Sequence, residues 1–352
     1  MLIVVISFLY LSILFYLLFG GADFGAGIIE LFTDNDNKEK SRLLTYRAIG
    51  PIWEANHMWL IITIVILFVG FPSIYTNLSI YLHIPLSLML IGIIARGTAF
   101  IFRHYDPVKG GLQNIYNHIY VYSSCITPFF LGIIAGTVIS GRINTSASSF
   151  PEAYLLPWIG IFPISVGLFT VAICGFLAAV FLIGEAEGDG DRQLFKNKAI
   201  RLNILTVIAG GLVFLTAYLE RMELVAMIFN NAYSIIALIL ASISLPILWT
   251  QIKRYRYNFA RILAGFQISM ILLALFYSIY PAFIVLDNKI LTLEATAANT
   301  ATIQALGIAL LVGSVFILPA LYYLIYSFQK KRFDQDTDII NSLAEDQGKT
   351  KR

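Results

Sequence analysis

Charge is what this chain has least of. Asp, Glu, Lys and Arg make up 13% of its 352 residues, about half the share found in a soluble globular domain. With 58% apolar residues and a mean hydropathy of +0.79, that scarcity excludes a soluble fold. Cysteine is nearly absent as well. Cys125 and Cys174 both lie inside apolar runs and read as small core residues, neither a disulfide nor a metal pair. Histidine is confined to His57, His83, His104 and His118, and only His118 lies deep in an apolar run. Haem ligation needs a His or Met at depth facing a cavity, so no intrinsic haem-ligand set is legible. The N-terminus lacks a basic region and a small-residue cleavage site, so Leu2 onward reads as a retained first span. The net charge of +3 does not point to nucleic acid, because the basic residues form short clusters between apolar runs.

What is present is one apolar run after another. Runs at about 2–22, 52–70, 78–101, 115–139, 158–183, 200–218, 232–250, 260–281 and 303–327 are each of the order needed to cross a bilayer as a helix. All but three of the 24 basic residues fall on one side of the resulting alternation. The exceptions are Arg142, Arg221 and Lys289. The positive-inside rule then puts the N-terminus outside and the C-terminus in the cytoplasm. The expected fold is an all-α polytopic membrane protein of about nine transmembrane helices. Residues 1–328 form a single transmembrane domain, followed by a charged cytoplasmic tail, 329–352. The loops after spans 1 and 5 both turn from acidic to basic, which suggests two four-helix units, spans 1–4 and 5–8, plus one extra helix. Spans 2 and 3, joined at Phe71-Pro72-Ser73, read as a hairpin. The loop from Glu30 to Gly50 reads as solvated.

Three charged groups stand out against this background. Glu54 lies in Gly50-Pro51-Ile52-Trp53-Glu54-Ala55-Asn56-His57-Met58-Trp59-Leu60, where Pro51 suits the first position of a helix. An acid in that first turn is favoured by the helix dipole. Asp23 lies in the small-residue run Gly21-Ala22-Asp23-Phe24-Gly25-Ala26-Gly27, whose glycines allow close helix approach. Arg96, two turns deeper than Arg103, needs a partner, whereas Arg103 reads as snorkelling to the interface. Topology puts Asp23, Glu54 and Arg96 at similar depth, as a paired network or the mouth of a proton path. Intramembrane ionisable groups are functional candidates by default; the plainer reading of Glu54 is an interfacial group satisfied by water or backbone. Trp53, Asn56, His57 and Leu60 share a helix face, while Glu54 shares one with His57 and Met58. Glu54 and His57 make one Glu-x-x-His, but di-iron carboxylate bundles need a second copy, so no metal is expected. His118 reads as a satisfied core histidine. The glycine-rich end of span 1 also keeps an ion-coupled secondary transporter in view.

These motifs, together with Arg96-Gly97-Thr98-Ala99-Phe100-Ile101-Phe102-Arg103, resemble subunit II of the cytochrome bd quinol oxidase family. The resemblance implies a multi-pass subunit in the inner (plasma) membrane of a prokaryote, in a terminal quinol oxidase that reduces oxygen to water. It implies a heterodimer with subunit I, which carries haem b and haem d and oxidises quinol. A small single-span accessory subunit, membrane lipid and a bound quinone are further expected companions, and no nucleic acid is. This chain itself is expected to hold no haem. The implied proton-path residues are Asp23 and Glu54, supported by Trp53, Asn56, His57, Trp59 and Arg96. Some relatives carry a second acid where this chain reads Gly20-Gly21.

Overall fold

A backbone in hydrocarbon must satisfy its own hydrogen bonds, so each apolar run becomes a helix. The computed structural model describes residues 1–34, 38, 39, 41, 42, 44–46, 53–105, 111–186, 188–254 and 256–323, with the side chains of 53–55, 104, 105, 111 and 189 outside that description. Helix α1 spans Leu2–Leu31 and contains a π turn at Tyr16–Gly20. Then come α2 (Trp53–Gly70), α3 (Pro72–Tyr81), α4 (His83–Tyr105) and α5 (Gly111–Ile139). After the short α6 (Phe150–Tyr154) follow α7 (Ile161–Ile183), α8 (Asp189–Leu219) and the short α9 (Leu224–Asn230). The last helices are α10 (Ala232–Lys253), α11 (Tyr257–Ile279) and α12 (Thr300–Tyr323). Among the described residues, eight helices are individually long and apolar enough to cross a membrane, and a ninth crossing is counted if α2 and α3 are one broken span. The expected tail at 329–352 lies outside the described residues.

Two expectations change. Spans 2 and 3 do not form a simple hairpin. Pro72 has no amide hydrogen to continue α2, so the chain turns by 115° into α3, and the third crossing starts at His83 rather than near 78. Helix α2 runs along α1 and makes no extended contact with α4. The segment after α11 is not an open loop either. Strands β1 (Ala282–Val285) and β2 (Ile290–Thr292) pair antiparallel, and Leu286 bridges to Ile143. Ile284, Leu286, Leu291 and Leu293 sit over the core formed by Val5, Leu9, Ile66, Phe71 and Ile303.

The bundle is built around α7, the most buried span. It is flanked by the Gly21–Leu31 half of α1 and by α5, α8 and α11. Small residues make those contacts possible. A Cβ on Gly25 would lie 1.9 Å from the Cys174 carbonyl oxygen, and one on Gly132 would lie 2.6 Å from that of Val166. The helices fall into two sets with one internal pattern: α1, α2, α4, α5 and α7, α8, α10, α11. In each, the first helix packs on the second and fourth, the third packs on the fourth, and a short helix separates second from third. The hydrogen bonds repeat too. Ser12 pairs with Thr63 at 2.8 Å while bonding the Leu9 carbonyl; Ser165 pairs with Thr216 at 2.8 Å while bonding that of Phe162. All three residues of the second set stand 153 positions after the first. Gly21 and Gly25 face Cys174 and Ala178, their own counterparts at that offset, which is the signature of a two-fold contact.

This geometry predicts that Gly25→Val separates α1 from α7 and destabilises the protein by about 3 kcal/mol or more. Gly211→Val, where a Cβ meets nothing within 4 Å, serves as the control. Thermal unfolding of the purified protein followed by size-exclusion fluorescence checks the difference; equal midpoints would refute the close-packed interface.

Candidate functional site

The π turn at Tyr16–Gly20 re-aims the inner half of α1, as single extra residues in helices do, and Asp23 follows it by one turn. Asp23 is 0% exposed and Arg96 of α4 is 1% exposed. Arg96 Nη2 donates to Asp23 Oδ1 at 2.6 Å and to the Asp23 carbonyl at 2.8 Å. Its Nε donates to Ser124 Oγ at 3.2 Å, and Nη2 also approaches the Tyr120 hydroxyl at 3.4 Å. The guanidinium lies over the rings of Phe24 and Tyr120, at 5.2 and 5.1 Å, a cation–π sandwich. Gly27 makes the arrangement possible, since a Cβ there would sit 2.2 Å from Ser124 Oγ. The partner that Arg96 requires is therefore Asp23. Three polar atoms of this cluster are buried and have no partner among the described residues: Asp23 Oδ2, Arg96 Nη1 and the Tyr16 hydroxyl.

The first turns of α2 stand beside this pair. Asn56 is buried and lines the same cavity as Asp23. The His57 ring lies 6.3 Å from Tyr16 and 5.9 Å from Phe24, within electrostatic range of Asp23 and Arg96. Trp59 is buried against Phe15, with ring centroids 4.6 Å apart. The structure thus brings together Asp23, Arg96, Asn56 and His57, with Trp59 one turn further along. Trp53 and Glu54 begin α2, but their side chains lie outside the described residues.

Sequence reasoning missed a second ion pair one level nearer the basic end. Glu30 is not a solvated loop residue; it is 3% exposed and closes α1. Arg103 does not snorkel. Its Nη1 lies 2.9 Å from Glu30 Oε2, and Arg42 Nε lies 2.5 Å from Oε1. Arg103 also stacks at 4.8 Å on Tyr120, so that one ring separates the two arginines. The signal was available: Asp23 and Glu30 are seven residues apart, as are Arg96 and Arg103, about two helical turns. Two acids on one stripe of α1 meet two arginines on one stripe of a parallel α4.

Two cavities adjoin these pairs. One, of about 300 Å³, is apolar apart from Asp23, Asn56 and Arg261; Leu18, Ala22, Leu177 and Ala264 are among its walls. The other, of about 810 Å³, is polar and includes Glu30, Arg42, Arg103, Asn117 and His118. His118 is thus no core histidine. It is exposed, its Nδ1 lies 2.6 Å from the Asn114 carbonyl, and its ring stacks on Tyr122. Neither cavity suits a haem. The apolar one has no His or Met in its wall, and the one that His118 reaches is walled by charge. Among the described residues no group of three His, Cys, Asp or Glu could hold a metal.

Residues 1–328 match the family model described as cytochrome bd terminal oxidase subunit II. The chain is 23% identical over 334 residues to cytochrome bd ubiquinol oxidase subunit 2 of Bacillus subtilis (strain 168), covering 92% of this chain and 95% of that one. Cytochrome bd-I ubiquinol oxidase subunit 2 of Escherichia coli (strain K12) is 24% identical over 121 residues, 34% of this chain and 31% of its own length. Among solved structures, the bd oxidase from Geobacillus thermodenitrificans superposes with a TM-score of 0.76 at 24% identity, over 93% of this chain and 98% of that one. With the family model covering all the membrane-spanning helices, the chain belongs to the cytochrome bd terminal oxidase subunit II family, a multi-pass membrane subunit of a bd-type terminal oxidase.

Proposed function

We propose that this chain is the haem-free half of a bd-type quinol oxidase and carries protons from the basic, cytoplasmic end of the bundle toward the partner's oxygen site. Subunit I would hold haem b and haem d and oxidise quinol, and those groups supply the electron transfer and oxygen chemistry. Forming water from oxygen consumes protons, so the complex needs a path for them through apolar protein. The observation that carries this reading is Asp23. One carboxylate oxygen is fixed by Arg96, while the other is buried and, among the described residues, without a partner; Asp23 and Asn56 line one cavity. A carboxylate so held can accept a proton on Oδ2 and release it without reorienting, which suits a relay. Glu54, in the first turn of α2, is the group through which cytoplasmic protons would reach that level. Arg96, Asn56, His57, Trp53 and Trp59 hold the two acids in place. Lipid and a quinone would occupy faces of the complex outside this relay.

In the assembled oxidase, Glu54→Gln should slow quinol-driven oxygen consumption at least about tenfold, or 1.4 kcal/mol of barrier, with haem content preserved. Glu54→Asp should keep part of the rate. A Glu54→Gln complex with full haem and normal turnover would make Glu54 a structural group. Asp23→Asn leaves the Arg96 charge buried and uncompensated, at a cost of roughly 3–5 kcal/mol. The double variant Asp23→Asn/Arg96→Gln should recover much of that stability, because the two effects are coupled. It should still turn over slowly. Normal turnover of the double variant would reduce the pair to a packing device.

A further inference from the structure

The two four-helix sets are not packed symmetrically, and the difference opens a space beside Asp23. On one side α5 lies tightly on α7, with Gly132 and Gly136 against Val166 and Pro163. The two-fold counterpart of that contact is α11 on α1. It is closed where Tyr10 stacks on Phe276 at 4.1 Å. Toward the basic end it parts, around Ala264 and Gly265 on α11 and Leu18 and Ala22 on α1, into the apolar cavity of about 300 Å³.

Polar groups mark its lining. Asp23 and Asn56 both stand on its wall, and Asp23 Oδ2 is buried and, among the described residues, without a partner. Arg261 also lines the cavity, lying across the end of α7. Its Nη2 donates to the Phe181 carbonyl at 2.6 Å and to Glu185 Oε1 at 2.9 Å, and its Nε is buried without a partner. Gly184 permits this, because a Cβ there would meet Arg261 Nη2 at 2.4 Å. Both side chains of the Arg261–Glu185 pair stay partly exposed.

We propose that this cavity is a hydrated antechamber giving Asp23 a second access route, past Arg261 and Glu185, in parallel with Glu54. The inference rests on the reading of Asp23 as a proton relay. Asp23, Asn56 and Arg261 put three polar side chains on the wall of one cavity, the number of partners that bound water needs. The volume is many times the ~30 Å³ share of one water molecule. Apolar walls between these anchors hold water loosely, so it can reorient and pass a proton on. Glu185, from the second half of the chain, is then the outer acid of this route as Glu54 is of the first.

A plug tests it in the intact complex. Gly265 has nothing within 4 Å of a built Cβ, so Gly265→Leu fills the antechamber without a clash, while Gly265→Ala leaves most of it open. Gly265→Leu should slow oxygen consumption about twofold alone, but reduce the residual rate of Glu54→Gln about tenfold further, with a raised solvent deuterium isotope effect. Haem spectra should stay unchanged, and Gly265→Ala and Gly211→Leu should have no effect. If Gly265→Leu does not assemble, Ile262→Trp at the exposed rim of the cavity takes its place with the same expectations. A Glu54→Gln residual rate untouched by the plug overturns the antechamber, as happens if a lipid chain fills the space instead. Should Glu54→Gln alone be silent, the plug must carry the full tenfold loss by itself, or the proposal falls. Normal turnover of Asp23→Asn/Arg96→Gln would sink the relay reading itself, a result distinguishable from failure of the plug.

Discussion

The buried pairing of Asp23 with Arg96 is the constraint around which the first half of this protein is arranged. An arginine at that depth is tolerated only with its charge balanced and its donors engaged. Meeting that demand fixes three elements at once. Asp23 sets the rotation of α1 after the π turn, and Arg96 sets the register of α4. Ser124 and Tyr120 on α5 take the Nε donor and the guanidinium face. Glu30 and Arg103 repeat the pairing two turns on, so α1 and α4 are held parallel at two levels with Tyr120 between the arginines. A ladder of this kind carries little stability for its cost, because well-packed apolar residues would serve as well.

The second half of the chain makes the same point by contrast. It has the same serine–threonine clasp as the first half, so the two halves share one frame. At the 153-residue offset, however, Asp23 corresponds to Phe176, which is fully buried in apolar packing. The polar group in the interior of that half is neutral: Trp249 Nε1 donates to Asn203 Oδ1 at 2.8 Å. One four-helix set therefore carries charge through its interior and the other supplies a mostly apolar wall. The ion pair of the second set, Arg261 with Glu185, has moved to the end of the bundle, where it stays partly exposed.

Much of this was legible in the residues, for identifiable reasons. Span count followed because hydrocarbon forces each long apolar run into a helix, and Asp23 and Arg96 pair as their shared depth suggested, while the side chain of Glu54, the third group of that set, lies outside the described residues. The failures are equally physical. Pro72 was read as a turn, although a proline at a helix start can as well begin a new helix in a new direction, which is what α3 does. Arg103 looked like an interface residue and Glu30 like the start of a solvated loop because neither was weighed against the other; only their matching seven-residue spacing to Arg96 and Asp23 reveals the ladder. The β1–β2 hairpin was hidden because Ala282–Val285 continues the apolar character of α11. The antechamber could not be read at all, since it arises from a departure between two helix contacts that sequence symmetry would make alike.

The run Gly21–Gly27 shows how few atoms separate these outcomes. Gly21 and Gly25 face α7, and their missing side chains let two backbones meet where the repeat axis passes. Gly27 faces α5 and leaves room for the serine that holds Arg96. Asp23 faces α4 and carries the charge, while Ala22, next to it, faces the cavity. Because successive residues of a helix point about 100° apart, one turn and a half of α1 serves four neighbours with four different needs. The small residues do not merely tolerate the acid. By drawing α5 and α7 close on two sides, they exclude lipid and bulk water from Asp23 there, while the cavity on the α11 side stays open beside it.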